Sequence, residues 1–448
     1  MINSIQLNWL KAQFQPVDNS PLILFRICFG LLIFLESFGA TLTGWVKSAL
    51  IDPKFNFTLI GLEWMQPPDG SWMYIYFYLM AICGLMVMFG FYYRIGISSF
   101  TILWTLVYWM QKSHYNNHYY LLILLCIFMM IVPAHAYASR DARRWNSVVS
   151  TTCPRWCLNI FILQMWIVFT FAALHKLYPG WLNGGFIEMN FKPKSGYWLI
   201  GELLQKSWLQ QMVIYGGILF DGLIIYLLLW KKTRKVAFII AIGFHLFNSI
   251  VFQIGIFPYL MISMMVFFFE PETIRRIFFK KKPIVQIEKS LPALTPSCVG
   301  FIGLFSLYFI LQLYLPLRHH VYKGNVFYTE EGHRLAWRMM LRYKSGYTNY
   351  MIRDLATDST WTVKPLEFLT PKQSSSLAGH PDMIWQFAQY LEKYYQKEGI
   401  SDDVEIRAES FVRLNRDPQV RLIDEQIDLT SVPWQPLKHS AWILTDYK

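Results

Sequence analysis

The chain has 448 residues, of which 54% are hydrophobic and 18% aromatic, while only 16% are charged. That balance excludes an ordinary soluble protein of this length and also a single-span anchored one, leaving a polytopic membrane protein. The net charge of +12 suits nucleic acid or a membrane surface, and its distribution along the chain selects the membrane, with no nucleic acid as partner.

Residues 1–20 contain no apolar core followed by a small-residue cleavage site, so no removable signal peptide is expected. Ile5, Trp9, Leu10 and Phe14 predict a short interfacial helix instead. Apolar runs of about 17 or more residues predict transmembrane helices. Eight or nine follow: 21–45, 71–93, 95–110, 118–138, 157–174, 209–230, 236–252, 254–269 and 298–317. The seventh and eighth are separated only by F-Q-I-G-I-F-P at 252–258 and read equally as one broken hairpin. Beyond residue 317 the chain becomes charged and mixed in periodicity. Segments 347–353 and 361–365 predict strands. Segment 381–397 predicts a helix, with Pro381 in its first position and Met383, Ile384, Phe387, Leu391 and Tyr394 on one face. Segment 404–414 alternates like a strand. The expected fold is therefore a polytopic α-helical membrane protein of eight to nine transmembrane helices followed by a small exterior α+β domain. Its divisions are an interfacial segment 1–20, a transmembrane catalytic domain 21–317 and an exterior domain 318–448.

Basic residues concentrate in alternate loops. Arg94, then Arg140, Arg143, Arg144 and Arg155, then Lys231, Lys232, Arg234 and Lys235, then Arg275, Arg276, Lys280, Lys281, Lys282 and Lys289 make fifteen. The opposite loops hold seven: Lys47, Lys54, Lys112, Lys176, Lys192, Lys194 and Lys206. The positive-inside rule puts the richer loops in the cytoplasm, which with nine spans makes the N-terminus cytoplasmic and residues 318–448 exterior. The six cysteines lie in or beside apolar runs and form no C-x-x-C pair, so no disulfide framework, zinc site or haem site is expected.

The segment F-T-F-A-A-L-H-K-L-Y-P-G-W at 169–181 ends an apolar run in His175 and Lys176 before a Pro179-Gly180 break. A charged lysine costs about 2.5–3.5 kcal/mol at the bilayer centre and less near the interface. The ordinary reading is a side chain that snorkels to the headgroups; the functional one is a lysine that gives up its proton in a dry site and serves as a base. Asn116, Asn117 and His118 open the fourth run, His245 and Asn248 share a face of the seventh, and Glu36 and Asp221 are further intramembrane acids. Each alone reads as a helix–helix contact. The predicted topology, however, carries His118, Lys176 and His245 to the outer half of the membrane, which reads as one site.

Four motifs carry a resemblance. N-N-H-Y-Y-L at 116–121, A-L-H-K-L-Y-P-G-W at 173–181, F-H-L-F-N-S-I-V-F-Q-I-G-I-F-P-Y at 244–259, and L-P-L-R-H-H at 315–320 with T-E-E-G-H-R-L-A-W-R-M-M at 329–340 resemble, in that order, the vitamin K-dependent γ-glutamyl carboxylase family. N-R-D-P-Q-V-R-L-I-D at 415–424 and W-Q-P at 434–436 are similar as well, so the likeness runs from residue 21 to about 442. It is that of a bacterial-type homologue built on the horizontally transferred transmembrane domain. The resemblance implies an enzyme that couples O2-driven epoxidation of a reduced quinone to proton abstraction from, and CO2 addition to, glutamyl side chains. Reduced vitamin K (phylloquinol or menaquinol) is then the cofactor, O2 and CO2 are co-substrates and no metal is needed. The partners are a Glu-containing exported protein or peptide and the lipid bilayer. Lys176 matches the family's catalytic base, with His175 in place of a neighbouring lysine, and His118 matches the histidine that assists carboxylation. Met339 and Met340 match a pair at the quinol pocket, where Asn117, His245 and Asn248 are also expected. His333, Arg334 and Trp337 are expected to bind substrate, although this stretch departs from the tyrosine-rich animal version. The implied location is a bacterial inner membrane, or the endoplasmic reticulum in a eukaryote. Competing readings are a quinol epoxidase without carboxylation, and a non-enzymatic quinone- or lipid-binding protein or transporter. The last would show two similar halves with broken helices, which the sequence lacks.

Overall fold

The structure, a computed structural model, describes residues 4–284 and 290–446; Lys289, one of the basic residues counted above, lies outside them. All nine apolar runs are helical within the described residues. After α1 (Ser4–Gln13) come α2 (Ser20–Leu42), α3 (Ser71–Phe89), α4 (Tyr93–Met110), α5 (Asn117–Ile131), α6 (Trp156–His175), α7 (Ser207–Leu229), α8 (Arg234–Phe252), α9 (Phe257–Met264) and α10 (Pro296–Leu317). The expected N-terminal helix forms as α1, whose Ile5 and Trp9 are exposed.

Among the described residues, six helices are long and apolar enough to cross a membrane: α2, α3, α6, α7, α8 and α10 with its continuation to Val321. The chain is an integral membrane protein. The other three expected spans differ for separable reasons. Helix α4 has 18 residues but carries Arg94, Ser98, Ser99, Thr101 and Thr105. Helix α5 has 15 residues, about 22 Å of rise against a hydrocarbon core of about 30 Å, and it ends where Pro133 follows. Helix α9 has only eight residues before a 3-10 turn over Met265–Phe268. The F-Q-I-G-I-F-P stretch does break the helix, because Gln253 (φ 51°) and Gly255 (φ 58°) turn left-handed between α8 and α9. Neighbouring helices cover the short ones: Phe257, Leu260, Met261 and Met264 of α9 are all buried.

Helices α2 and α3 pack closely through small residues. A Cβ on Gly84 would stand 2.7 Å from the backbone nitrogen of Phe34, so only glycine permits this approach. At one end of the bundle, the two-stranded ribbon of β1 (Pro16–Asp18) and β2 (Thr152–Pro154), three residue pairs long, ties the start of α2 to the start of α6. Lys282 is buried there. It donates to Asp18, to Asn19 Oδ1 at 2.7 Å and to Ser20 Oγ at 2.9 Å. Lys231 meets Glu270 at 2.8 Å at the same end, so the basic-rich loops gather on one side.

The opposite end carries a small α+β domain. Strands β3 (Lys344–Asp354), β4 (Thr360–Val363), β5 (Val404–Leu414) and β6 (Val420–Arg421) form an antiparallel sheet in the order β4-β3-β5-β6. The expected strand at 347–353 lies within the longer β3, the one at 361–365 begins one residue earlier and ends two earlier as β4, and 404–414 is as expected. Val404, Ile406, Ala408, Val412 and Leu414 alternate inward. Helix α11 (Pro381–Lys397) buries Met383, Ile384, Phe387 and Leu391 as expected, with Tyr395 rather than Tyr394 fully covered. The domain is seated on the bundle by aromatic contact, Phe55 lying 4.4 Å from Tyr390, and by Gln373, which donates to the Phe55 carbonyl at 2.6 Å.

Candidate active site

Lys176 caps the C-terminus of α6. Pro179 opens the next short helix, Pro179–Leu182, and holds Tyr178 extended, as a residue before proline prefers. Lys176 does not snorkel. Its neighbours Leu174 and Leu177 face outward at 51% and 57% exposure, while Lys176 is 8% exposed. Its ammonium donates to Asp221 Oδ2 on α7 and lies 5.4 Å above the Trp181 ring. The outward reading of this lysine is therefore corrected by the helix phase, which turns it into the bundle. Removing one partner of such a buried pair costs about 3–5 kcal/mol, because the other charge is stranded.

The three polar residues opening α5 divide their work. Asn116 Oδ1 caps the helix by accepting from Tyr119 N at 2.8 Å. Asn117 Nδ2 donates to the Arg338 carbonyl at 2.8 Å. His118 is left facing inward, 5.9 Å from the Phe257 ring. On α8, His245 is only 1% exposed, and among the described residues both its ring nitrogens lack a hydrogen-bond partner. It sits among Phe169, Phe220 and Phe257 at 5.8–6.3 Å. A buried imidazole with neither nitrogen satisfied is costly unless a ligand completes it.

These groups meet in a cavity of about 810 Å³, within the usual size for small-molecule sites. Lys176, His118, Asn117, His245, Asn248, Met339, Met340 and His333 all line it, and so does Asp221. Phe169, Phe220, Phe244, Phe247 and Phe257 make its membrane-side wall apolar. The segment 335–340 brings Arg338, Met339 and Met340 to the lining on the side of the α+β domain. Leu335, Trp337 and Met340 there have φ of 61°, 55° and 52°, a strained backbone of the kind that functional sites retain. This winding turns Arg338 and Met339 toward the cavity and Trp337 away from it. Two expected substrate residues consequently lie elsewhere. Trp337 is fully buried and stacked on Tyr120 at 5.0 Å, and Arg334 forms a two-pronged pair with Asp382 at 2.7 and 3.3 Å.

The end of the cavity nearest the α+β domain is cationic. Arg338, Arg342, Lys344, His333 and His380 line it. Glu330 accepts from Arg342 and from Lys344 at 2.9 Å, and Asp382 pairs with Lys112 at 2.7 Å as well as with Arg334. Burial alone would raise both carboxyls, but Arg342 and Lys344 hold Glu330 well below the usual range, and Arg334 and Lys112 do the same for Asp382. Burial lowers Lys112 and Lys344 to about 8 despite those carboxylates. It also takes His380 to about 4 and His333 well below the ordinary histidine value, so both are neutral near pH 7. Of the residues that sequence reasoning left outside the site, Asp221 was visible as an intramembrane acid. Lys112, Arg342, Lys344 and His380 look like solvated loop and strand residues, and no local pattern marks them.

Residues 14–272 match the family described as the HTTM domain, and residues 299–448 match the vitamin K-dependent gamma-carboxylase lumenal domain. No solved structure matches the chain.

Proposed function

The chain belongs to the vitamin K-dependent γ-carboxylase family, and from that premise we propose that it is a quinol-dependent γ-glutamyl carboxylase working in the cavity beneath its exterior domain. The family implies a vitamin K cofactor, and the chain's own residues suit one. The unsatisfied nitrogens of His245 and the adjacent Asn248 offer partners to ring oxygens. The phenylalanine wall suits a flat ring and an apolar side chain. A reduced quinone bound there would supply, by reaction with O2 to its epoxide, a base strong enough for the γ-carbon of glutamate. The balance of the whole reaction is glutamyl residue, quinol, O2 and CO2 giving γ-carboxyglutamyl residue, quinone epoxide and water.

Lys176 Nζ can leave a proton on Asp221 Oδ2, and the uncharged amine can then accept the proton of a ring hydroxyl. His118, fixed by the Asn117 tie beside it, stands at the junction of the apolar and cationic ends and serves proton balance during CO2 addition. The phenylalanine wall and the 335–340 segment exclude water, which would quench either base. Basic-rich loops at the far end of the bundle support a cytoplasmic side there, and hence a periplasmic or lumenal exterior domain. Reporter fusions at Asn146 and at the C-terminus should give opposite signals.

The observation that carries this reading is the convergence of Lys176, His118, His245 and Met339 from four separated segments on one cavity. The test is reconstituted protein supplied with reduced quinone, O2, labelled CO2 and a Glu-rich peptide. Epoxide and fixed label should both appear. Epoxide with no label under saturating peptide would leave a quinol epoxidase instead.

A further inference from the structure

Four cations line the cavity, Lys176, Arg338, Arg342 and Lys344, and two more, Lys112 and Arg334, lie outside its lining on Asp382. They meet three carboxylates. Lys176 has Asp221, Lys112 and Arg334 share Asp382, and Arg342 and Lys344 share Glu330. Arg338 has none. It is 6% exposed, lines the cavity and rests 5.4 Å from the Phe327 ring. Among the described residues, its Nε and Nη2 find no hydrogen-bond partner.

An arginine buried to this degree with no anion in contact is a costly arrangement. The two idle nitrogens matter for a second reason. Nε and Nη2 share one edge of the guanidinium plane, and their parallel N–H bonds match the two oxygens of a carboxylate side-on. The main chain that carries this side chain is held in place, and the guanidinium, on the cavity lining, lies over the Phe327 ring. Asn117 holds the Arg338 carbonyl at 2.8 Å, one residue from His118, and the left-handed Trp337 and Met340 flank it on either side. An anion on this edge would share one cavity with His118 and Lys176.

We propose that Arg338 anchors the γ-carboxylate of the substrate glutamyl side chain, side-on through Nε and Nη2, and so sets selectivity for glutamate over glutamine. The inference rests on the carboxylase reading of the site and adds the group that holds the substrate. Arg338 is a binding and positioning residue: it orients the side chain so that the adjacent γ-carbon faces the base. Arg342 and Lys344 are less suited to the task because Glu330 already occupies them. Arg334 is less suited because both its terminal nitrogens are committed to Asp382.

The test uses the purified full chain in lipid nanodiscs, a Glu-containing peptide and the same peptide with glutamine in place of glutamate. Wild-type protein should bind the Glu peptide about tenfold or more tightly than the Gln peptide. Arg338→Gln should weaken Glu-peptide binding by about 10- to 100-fold, as loss of a charge-assisted pair does. The Gln-peptide Kd and the affinity for oxidised quinone should each move by less than about threefold, which a merely structural role would not allow. Arg338→Lys should fall between, since an ammonium offers a point charge without the fork. Retention of Glu preference by Arg338→Gln would overturn the inference and leave the carboxylase reading standing. Loss of quinone affinity in parallel with peptide affinity would also overturn it, making Arg338 a shaper of the cavity. Loss of the preference in a protein whose wild type fixes no CO2 would uphold the anchor and sink the carboxylase reading.

Discussion

Lys282 and Lys176 are both buried against an aspartate and under an aromatic ring, at opposite ends of the same helical bundle. Lys282 lies 5.5 Å from the Tyr137 ring and spends all three ammonium donors on Asp18, Asn19 and Ser20. Lys176 lies 5.4 Å from the Trp181 ring, bonds Asp221 alone and faces a cavity. The first arrangement uses every ammonium donor and fastens Lys282 to the start of α2. The second has donors left over, and so do His245 and Arg338 nearby. Burying a polar group is tolerable when its bonds are made. Where a fold repeatedly leaves them unmade around one space, that space is shaped for a ligand.

The comparison is broken most readily at the two lysines. Lys176→Arg keeps charge and reach but cannot accept a proton, so epoxide and fixed label should both fall about 10²–10⁴-fold. Lys282→Arg should cost stability, about 1–3 kcal/mol for overpacking, while folded protein retains its turnover. Equal turnover losses per folded molecule in the two variants would remove the distinction between clamp and site. The next effect is on docking of the α+β domain. Asp382→Ala strands Lys112 and Arg334 and should lower unfolding free energy by about 3–5 kcal/mol, read from thermal or denaturant unfolding followed by circular dichroism. A smaller, more selective change is expected at His118. His118→Ala should reduce labelled CO2 fixation about tenfold more than epoxide formation; a parallel fall would make the residue part of quinol binding.

The least effect concerns pH. The Asp382 and Glu330 carboxyls are held below their ordinary values in the fold. Their contribution to stability is therefore full above the unfolded carboxyl range near pH 4 and declines as pH falls through it toward the folded values. Unfolding free energy should drop by up to about 1.4 kcal/mol per pH unit for each group below pH 4, and Asp382→Asn should flatten that slope. A slope unchanged by the substitution would mean that other carboxyls govern acid unfolding.

Much of this was legible in the chain because lipid imposes long apolar runs, and a polar residue inside one is conspicuous. His118, Lys176 and His245 were found that way. The membrane topology then placed them at one depth before any contact was known. What could not be read is pairing. Asp221 stood out as an acid in α7, yet nothing local linked it to Lys176 on α6. Arg334, Trp337 and Arg338 fall within five residues of one motif. Only the left-handed turns at Leu335, Trp337 and Met340 decide which of them enters the cavity. Arg338 is distinguished by the partner it lacks, and a sequence does not display an absent partner. Span lengths were overestimated where hydropathy continued past a backbone break, at Pro133 after α5 and at Gln253–Gly255 before α9.

The central claim is that this cavity couples quinol oxidation to removal of a proton from the γ-carbon of glutamate. The most direct measurement uses a peptide deuterated at that carbon, with CO2 withheld so that no product bond can form. Release of deuterium to water should require reduced quinone and O2 together and should vanish in Lys176→Arg. Quinol oxidised to epoxide under saturating peptide with the γ-deuterium fully retained would contradict the claim.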